Sequence, residues 1–179
     1  APSTSTHVFR VAGGVVTPVA INTGLGINER GTDMHFDTVT GLLVTMDDPG
    51  IPPGRIATIN PATGVVGTYA GVSTPIFSGG TFGMDFSRGI PVGAAVPGGD
   101  IVFTSDVVAA GIHSVTAGAA GSTTHVPGAS LPGGGPGDDV VVQPGGDWVW
   151  VGEATNAITR ISPVAPHVLT PSAFNMQTL

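Results

Sequence analysis

Four apolar pairs of identical spacing run through the chain: Val8-x-x-Val11, Ile56-x-x-Ile59, Ile112-x-x-Val115 and Ile158-x-x-Ile161. Their first members lie 48, 56 and 46 residues apart (56−8, 112−56, 158−112). Self-similarity at a period of roughly 40–55 residues is the mark of a radial or linear repeat, in which each period is one supersecondary unit. Each pair sits among β-branched or Gly-bounded residues, as in Gly-Arg-Ile-Ala-Thr-Ile-Asn-Pro (54–61). The pairs are therefore expected on strands, with their side chains in a core rather than a site.

Between the pairs, apolar residues either alternate with polar ones or fall in runs of four to six, and no stretch has a helical period with caps. That pattern predicts an all-β chain. Gly 29 and Pro 16 together make a quarter of the 179 residues, a share that could signal disorder. Hydrophobic residues at 41% and charged residues at 9% oppose that reading, because disordered chains show the reverse balance. Gly and Pro here punctuate short strands.

Taken in order, residues 7–21 read as a hairpin turning at Gly13-Gly14, with Pro18 restricting its second strand to an edge. Three longer units follow at about 32–70, 82–126 and 138–170, each with four strands in the same order. A partial strand is expected at 173–179. Lettering the strands a to d, the chain reads c-d, then a-b-c-d three times, then part of a.

The phrases Gly-Met-Asp-Phe-Ser (83–87), Asp-Ile-Val-Phe-Thr-Ser-Asp (100–106), Asp-Trp-Val-Trp-Val-Gly-Glu (147–153) and Arg-Ile-Ala-Thr-Ile-Asn-Pro-Ala-Thr-Gly (55–64) resemble β-propeller repeats. The likeness is to the broad class that includes NHL-type, lactonase-like and virginiamycin-lyase-like proteins. It implies a propeller-like array of four-stranded antiparallel blades, with three complete repeats and a split or partial fourth. Propellers have typically four to eight blades. The halves would either close a four-bladed ring or leave an open array whose bare edges invite pairing with another copy. A two-layer sandwich or a solenoid also fits the alternation and turn spacing.

Charge narrows the partners. Five Arg and no Lys stand against ten Asp and two Glu, a net charge of −7, and no two Arg are adjacent. No phosphate-tracking stripe can be drawn, so nucleic acid is not an expected partner. An anionic membrane surface is disfavoured for the same reason, and no apolar run approaches the ~18 residues of a spanning helix. Cysteine is absent, which removes disulfides, thiolate metal sites and a Cys nucleophile. The opening Ala-Pro-Ser-Thr-Ser-Thr reads as the small-residue start of a mature secreted chain.

Candidate chemistry lies in the acids. The b strands end in Asp47, Asp106 and Glu153 at one register. On the a strands, nearest a propeller's axis, His35 and Asp85 are expected at one level and Asp33 and Asp139 at another. A ring of carboxylates with one His offers oxygen ligands to Ca²⁺, or a general acid and base. Acids at strand ends equally accept backbone N–H bonds in turns. Asp47-Asp48 and Asp138-Asp139 are the adjacent acid pairs, without the spacing of a calcium loop. The five His lack zinc-ligand spacing; His125 and His167, on d strands, are expected at the surface. No G-x-S-x-G elbow or P-loop is present. The lactonase-like resemblance implies a Glu/Asn/Asp metal set that has no residue-by-residue match here. Trp148 and Trp150 share one face of their strand and either stack on a sugar or fill space between blades.

These features point first to a secreted, non-catalytic β-repeat protein that binds or builds structure without a cofactor, assembling with copies of itself through open strand edges. The alternative is a small propeller enzyme, lactonase- or lyase-like, with a divalent metal and channel acids.

Overall fold

The computed structural model describes residues 7–20, 33–47, 55–70, 81–86, 101–105, 110–116, 121–134, 137–152 and 157–175. Over these the chain is all-β. A two-stranded antiparallel sheet, β1 (Val8–Ala12) with β2 (Val15–Ala20), is followed by three four-stranded ones. The first comprises β3 (Met34–Asp37), β4 (Leu42–Asp47), β5 (Arg55–Ile59) and β6 (Val66–Ala70). The second comprises β7 (Thr81–Phe86), β8 (Ile101–Ser105), β9 (Gly111–Val115) and β10 (Thr123–Pro127). The third comprises β11 (Gly137–Val142), β12 (Trp148–Gly152), β13 (Ala157–Ile161) and β14 (Leu169–Asn175). In each four-stranded sheet spatial order follows chain order, a plain antiparallel meander. The described helical residues are two 3₁₀ turns, Gly128–Ser130 and Pro132–Gly134. No described helix is long and apolar enough to cross a membrane.

Local chemistry explains the turns. Gly13 and Gly14 both take positive φ (57° and 78°), the geometry that lets a two-residue turn follow the right-handed twist of its strands. Between β5 and β6, the Asn60 side chain accepts the N–H groups of Ala62 (2.9 Å) and Thr63 (3.1 Å), which fixes the turn before Gly64. Pro18, Pro127 and Pro171 all lie on strands that end a sheet, where a missing N–H breaks no ladder.

At the end of the chain a separate partial strand is expected at 173–179. Residues 173–175 continue β14, which pairs with β13 as far as Ala157↔Asn175, so they do not open a separate strand. Residues 176–179 lie outside the described residues.

Packing gives the repeated pair its physical meaning. Residues three apart on a strand point to opposite faces, so each pair serves two interfaces. Ile59 shares a cluster with Val8 and Ala57, between the first four-stranded sheet and the hairpin. Ile56 shares one with Val115, Met84 and Phe103, between the first and second sheets. Ile112 shares one with Ile161, Val140, Trp148 and Trp150, between the second and third. In every pair with both partners formed, the first residue faces the following sheet and the fourth faces the preceding one. Val11 departs from the expected core placement: it is 67% exposed, because no described sheet precedes the hairpin.

Candidate functional site

The first strands of the three meanders carry His35 (β3), Asp85 (β7) and Asp139 (β11), with Asp33 just before β3. The described β7 and β11 approach so closely that a Cβ at Gly83 would collide with the backbone of Asp139, so only glycine fits there. This draws together Asp33, His35, Asp85 and Asp139. His35 Nε2 lies 3.9 Å from Asp33 Oδ2, and its Nδ1 lies 4.0 Å from Asp85 Oδ1. The edge of the Phe86 ring meets the imidazole at a centroid distance of 6.3 Å.

The carboxylates also fasten the strands to one another. Asp33 accepts the N–H of Met84 on β7 (3.1 Å), and Asp85 accepts the N–H of Val142 on β11 (2.8 Å). With its other oxygen Asp85 accepts the N–H of Phe86 (2.7 Å), and Asp139 binds the N–H of Val140 in the same way (2.7 Å). Thr104 adds a buried link, donating to the Gly137 carbonyl at 2.8 Å. A carboxylate accepting backbone donors is a charge-assisted bond, stronger than a neutral one.

Protonation follows this geometry. The Asp33 carboxylate beside it raises the His35 pKa above its usual value against the opposing effect of burial, with the charges of Asp85 and Asp139 adding to the rise. Burial would push Asp33 up, but the contact with His35 and the Met84 N–H bring it below the usual carboxylate range. Asp139 is raised, first by burial and then by the nearby Asp33 charge. The cluster thus combines an imidazolium-stabilising pair with a carboxyl that holds its proton longer, the separation that acid–base work uses.

Among the described residues, no group of three or more His, Asp or Glu has the geometry to hold a metal ion. The remaining acids singled out in the sequence are not part of this picture. Asp106 and Glu153 lie outside the described residues, as does the side chain of Asp47, whose backbone ends β4 opposite Arg55.

Trp148 and Trp150 are both fully buried in the cluster between the second and third sheets. Stacking on a sugar needs an exposed ring face, so carbohydrate recognition by these two rings has no surface to act through. Their role is the space-filling one.

Sequence reasoning missed a second polar cluster. His125 and His167, expected at the surface, are half-buried against Trp148, with ring centroids 5.3 and 5.4 Å from the indole and 5.7 Å from each other. Ser114 Oγ lies 2.7 Å from His125 Nε2, and His167 Nδ1 lies 2.8 Å from the Ser162 carbonyl. The correction has a simple cause: β10, which ends the second sheet, carries His125 against Trp148 of β12 in the third, and His167, which lies just before β14 rather than on a strand, packs on the same indole. A usable signal was present, since both His precede apolar residues in the same phase of the repeat.

Comparison with protein-family models, with curated proteins and with solved structures yields no match.

The staple role is open to test. Asp85→Ala leaves the N–H groups of Val142 and Phe86 without their acceptor and is expected to cost about 1 kcal/mol at this partly exposed site. Asp85→Asn is expected to lower the His35 pKa by removing a neighbouring negative charge, read from the imidazole resonances in a proton NMR titration. An unchanged His35 titration would show that the two groups do not interact.

Proposed function

We propose that this chain is a secreted, non-catalytic β-repeat module of the propeller type, with only the outer half of a fourth blade, and that it works by assembling with copies of itself. Convergence of the first strands supports the radial arrangement. Asp33, just before β3, binds the N–H of Met84 on β7, and Gly83 beside Met84 packs against Asp139 on β11, so the starts of all three four-stranded sheets meet at β7. Strands gathered about one axis account for this meeting point more simply than a linear stack.

The observation that carries the functional reading is the incomplete unit. Through Val8 the hairpin covers Ala57 and Ile59 on β5. The face of β3 opposite His35 is left open by the described residues, with Met34 47% and Phe36 54% exposed. The hairpin's own outward face presents Phe9 and Val11, with Val16 paired beside them. Apolar side chains gathered on neighbouring strands mark an interaction surface, and the edge of β1 that pairs with no described strand can accept a further one. Light scattering across a concentration series is expected to show oligomers that grow with concentration. A monomer at every concentration would overturn this reading.

One observation favours the enzyme alternative, the His35–carboxylate cluster with its separated pKa values. Metal analysis distinguishes the two readings. Stoichiometric Ca²⁺ lost on Asp85→Ala would favour a metal-dependent activity or a Ca²⁺-dependent binder.

A further inference from the structure

The four apolar pairs define interfaces, and one of the interfaces they define is missing. Within the chain, the fourth residue of one pair packs with the first residue of the pair before it. Ile59 joins Val8, Val115 joins Ile56, and Ile161 joins Ile112. Two members are left over, Val11 on β1 and Ile158 on β13. Ile158 belongs to the face of the third sheet opposite Ile161, because residues three apart on a strand point to opposite sides. Cross-strand register puts Val151 beside it, and neighbouring Val141 on β11 is exposed. A cleft of about 330 Å³ opens on this face, lined by Gln143, Val149, Ile158, Arg160, Thr170 and Pro171.

From this we infer that the Ile158 face of one copy docks on the Val11 face of a second copy, repeating between molecules the interface that the chain makes three times within itself. The inference rests on the self-assembly proposed above and specifies its geometry. The occupant follows from continuity: the three formed interfaces all join the first residue of one pair to the fourth residue of the next, and a second copy supplies the one absent combination. Phe9 shares the exposed face of β1 with Val11, two residues away. Its ring lies on the surface that would meet the cleft beside Ile158. Such an interface is heterologous, using different surfaces on the two partners. It generates rings where the rotation closes and open filaments where it does not.

The absence of cysteine makes a direct test clean. Val11→Cys and Ile158→Cys are prepared as separate single variants, mixed at equal concentration and mildly oxidised. Mixed disulfide dimers are expected in clear excess over either homodimer, since only the mixed pair reaches bonding distance. Val65→Cys, in the exposed turn between β5 and β6, replaces Val11→Cys as the control and should give no such excess. If light scattering shows assembly but the mixed disulfide stays at control level, this interface is wrong while self-assembly stands. If a chain carrying both cysteines cross-links as a monomer, the interface closes within one molecule and the second-copy assignment falls. Absence of both assembly and cross-linking would overturn the inference together with the reading beneath it. Val11→Asp provides an independent readout: loss of association without loss of folding is expected, and undiminished association would count against the interface.

Discussion

Replacing Trp150 with Ala is expected to destabilise the protein by about 3–5 kcal/mol, the usual cost of emptying a buried indole site. Trp150 is fully buried and belongs to the cluster that joins the second and third sheets through Val102, Ile112, Val140 and Ile161. The space around it is closed on the β11 side as well, where a Cβ at Gly137 would collide with the indole. Trp150→Phe should cost much less, because it keeps a ring in place and removes an indole N–H that has no acceptor among the described residues. Gly137→Ala should destabilise by about 1–3 kcal/mol through overpacking, and by less when combined with Trp150→Phe. Urea denaturation of these variants measures all four effects. A Trp150→Ala change within about 0.5 kcal/mol, the range of an ordinary surface substitution, would sink this account and restore the indole as a ligand platform.

That tryptophan illustrates what sequence could and could not convey. The alternation in Asp147-Trp-Val-Trp-Val placed both indoles on one face of a strand, and this is how β12 presents them, with Trp148 and Trp150 buried and Val149 and Val151 half-buried. Which neighbour that face meets depends on sheet order, and sheet order is not local information. The same limit applies to the apolar pairs. Their spacing located β1, β5, β9 and β13, but the division of labour between first and fourth residues emerged only once consecutive sheets were seen sharing clusters. The stretch after Pro171 was not legible in this way. There a separate partial strand is expected at 173–179, yet β14 runs on to Asn175, because a strand at the end of a sheet has no partner waiting for the proline N–H.

The acids divide in the same way. Strand phase sets His35 with Asp85 at one level and Asp33 with Asp139 at another, whereas His35 lies as close to Asp33 (3.9 Å) as to Asp85 (4.0 Å). The backbone donors that hold them were not legible. Met84 lies 51 residues from Asp33 and Val142 lies 57 from Asp85, and nothing in either segment marks an N–H as available. Asp147 shows the opposite case, a local partner, pairing with Arg160 across β12 and β13.

Acidification from pH 7 to pH 4.5 is expected to weaken the joint between the second and third sheets through His125. Burial pushes the pKa of this residue down to about 4, and the charges of His167 and His113 push in the same direction. The described groups facing it are Ser114, Trp148 and His167, with His113 nearby, and among the described residues no carboxylate offsets the cost of charging it. A folded pKa below the unfolded value of 6.5 means that the unfolded chain takes the proton first. The contribution is therefore complete above about pH 6.5, is lost as pH falls towards 4, and reaches about 2–3 kcal/mol at most for a partly buried ring. Other groups act differently. Asp33, with a lowered pKa, loses its contribution only at still lower pH. His35 and Asp139, both raised, favour the folded state as pH falls and so oppose the trend. Comparison with His125→Gln separates these effects, because the variant keeps every one of them except that of His125. Urea unfolding at pH 7 and pH 4.5 should show a smaller acid loss in His125→Gln than in the parent chain, by about 2 kcal/mol. Parallel pH profiles would mean that His125 accepts a proton in the folded state as readily as in the unfolded one, and that its packing between His167 and Trp148 does not exclude charge.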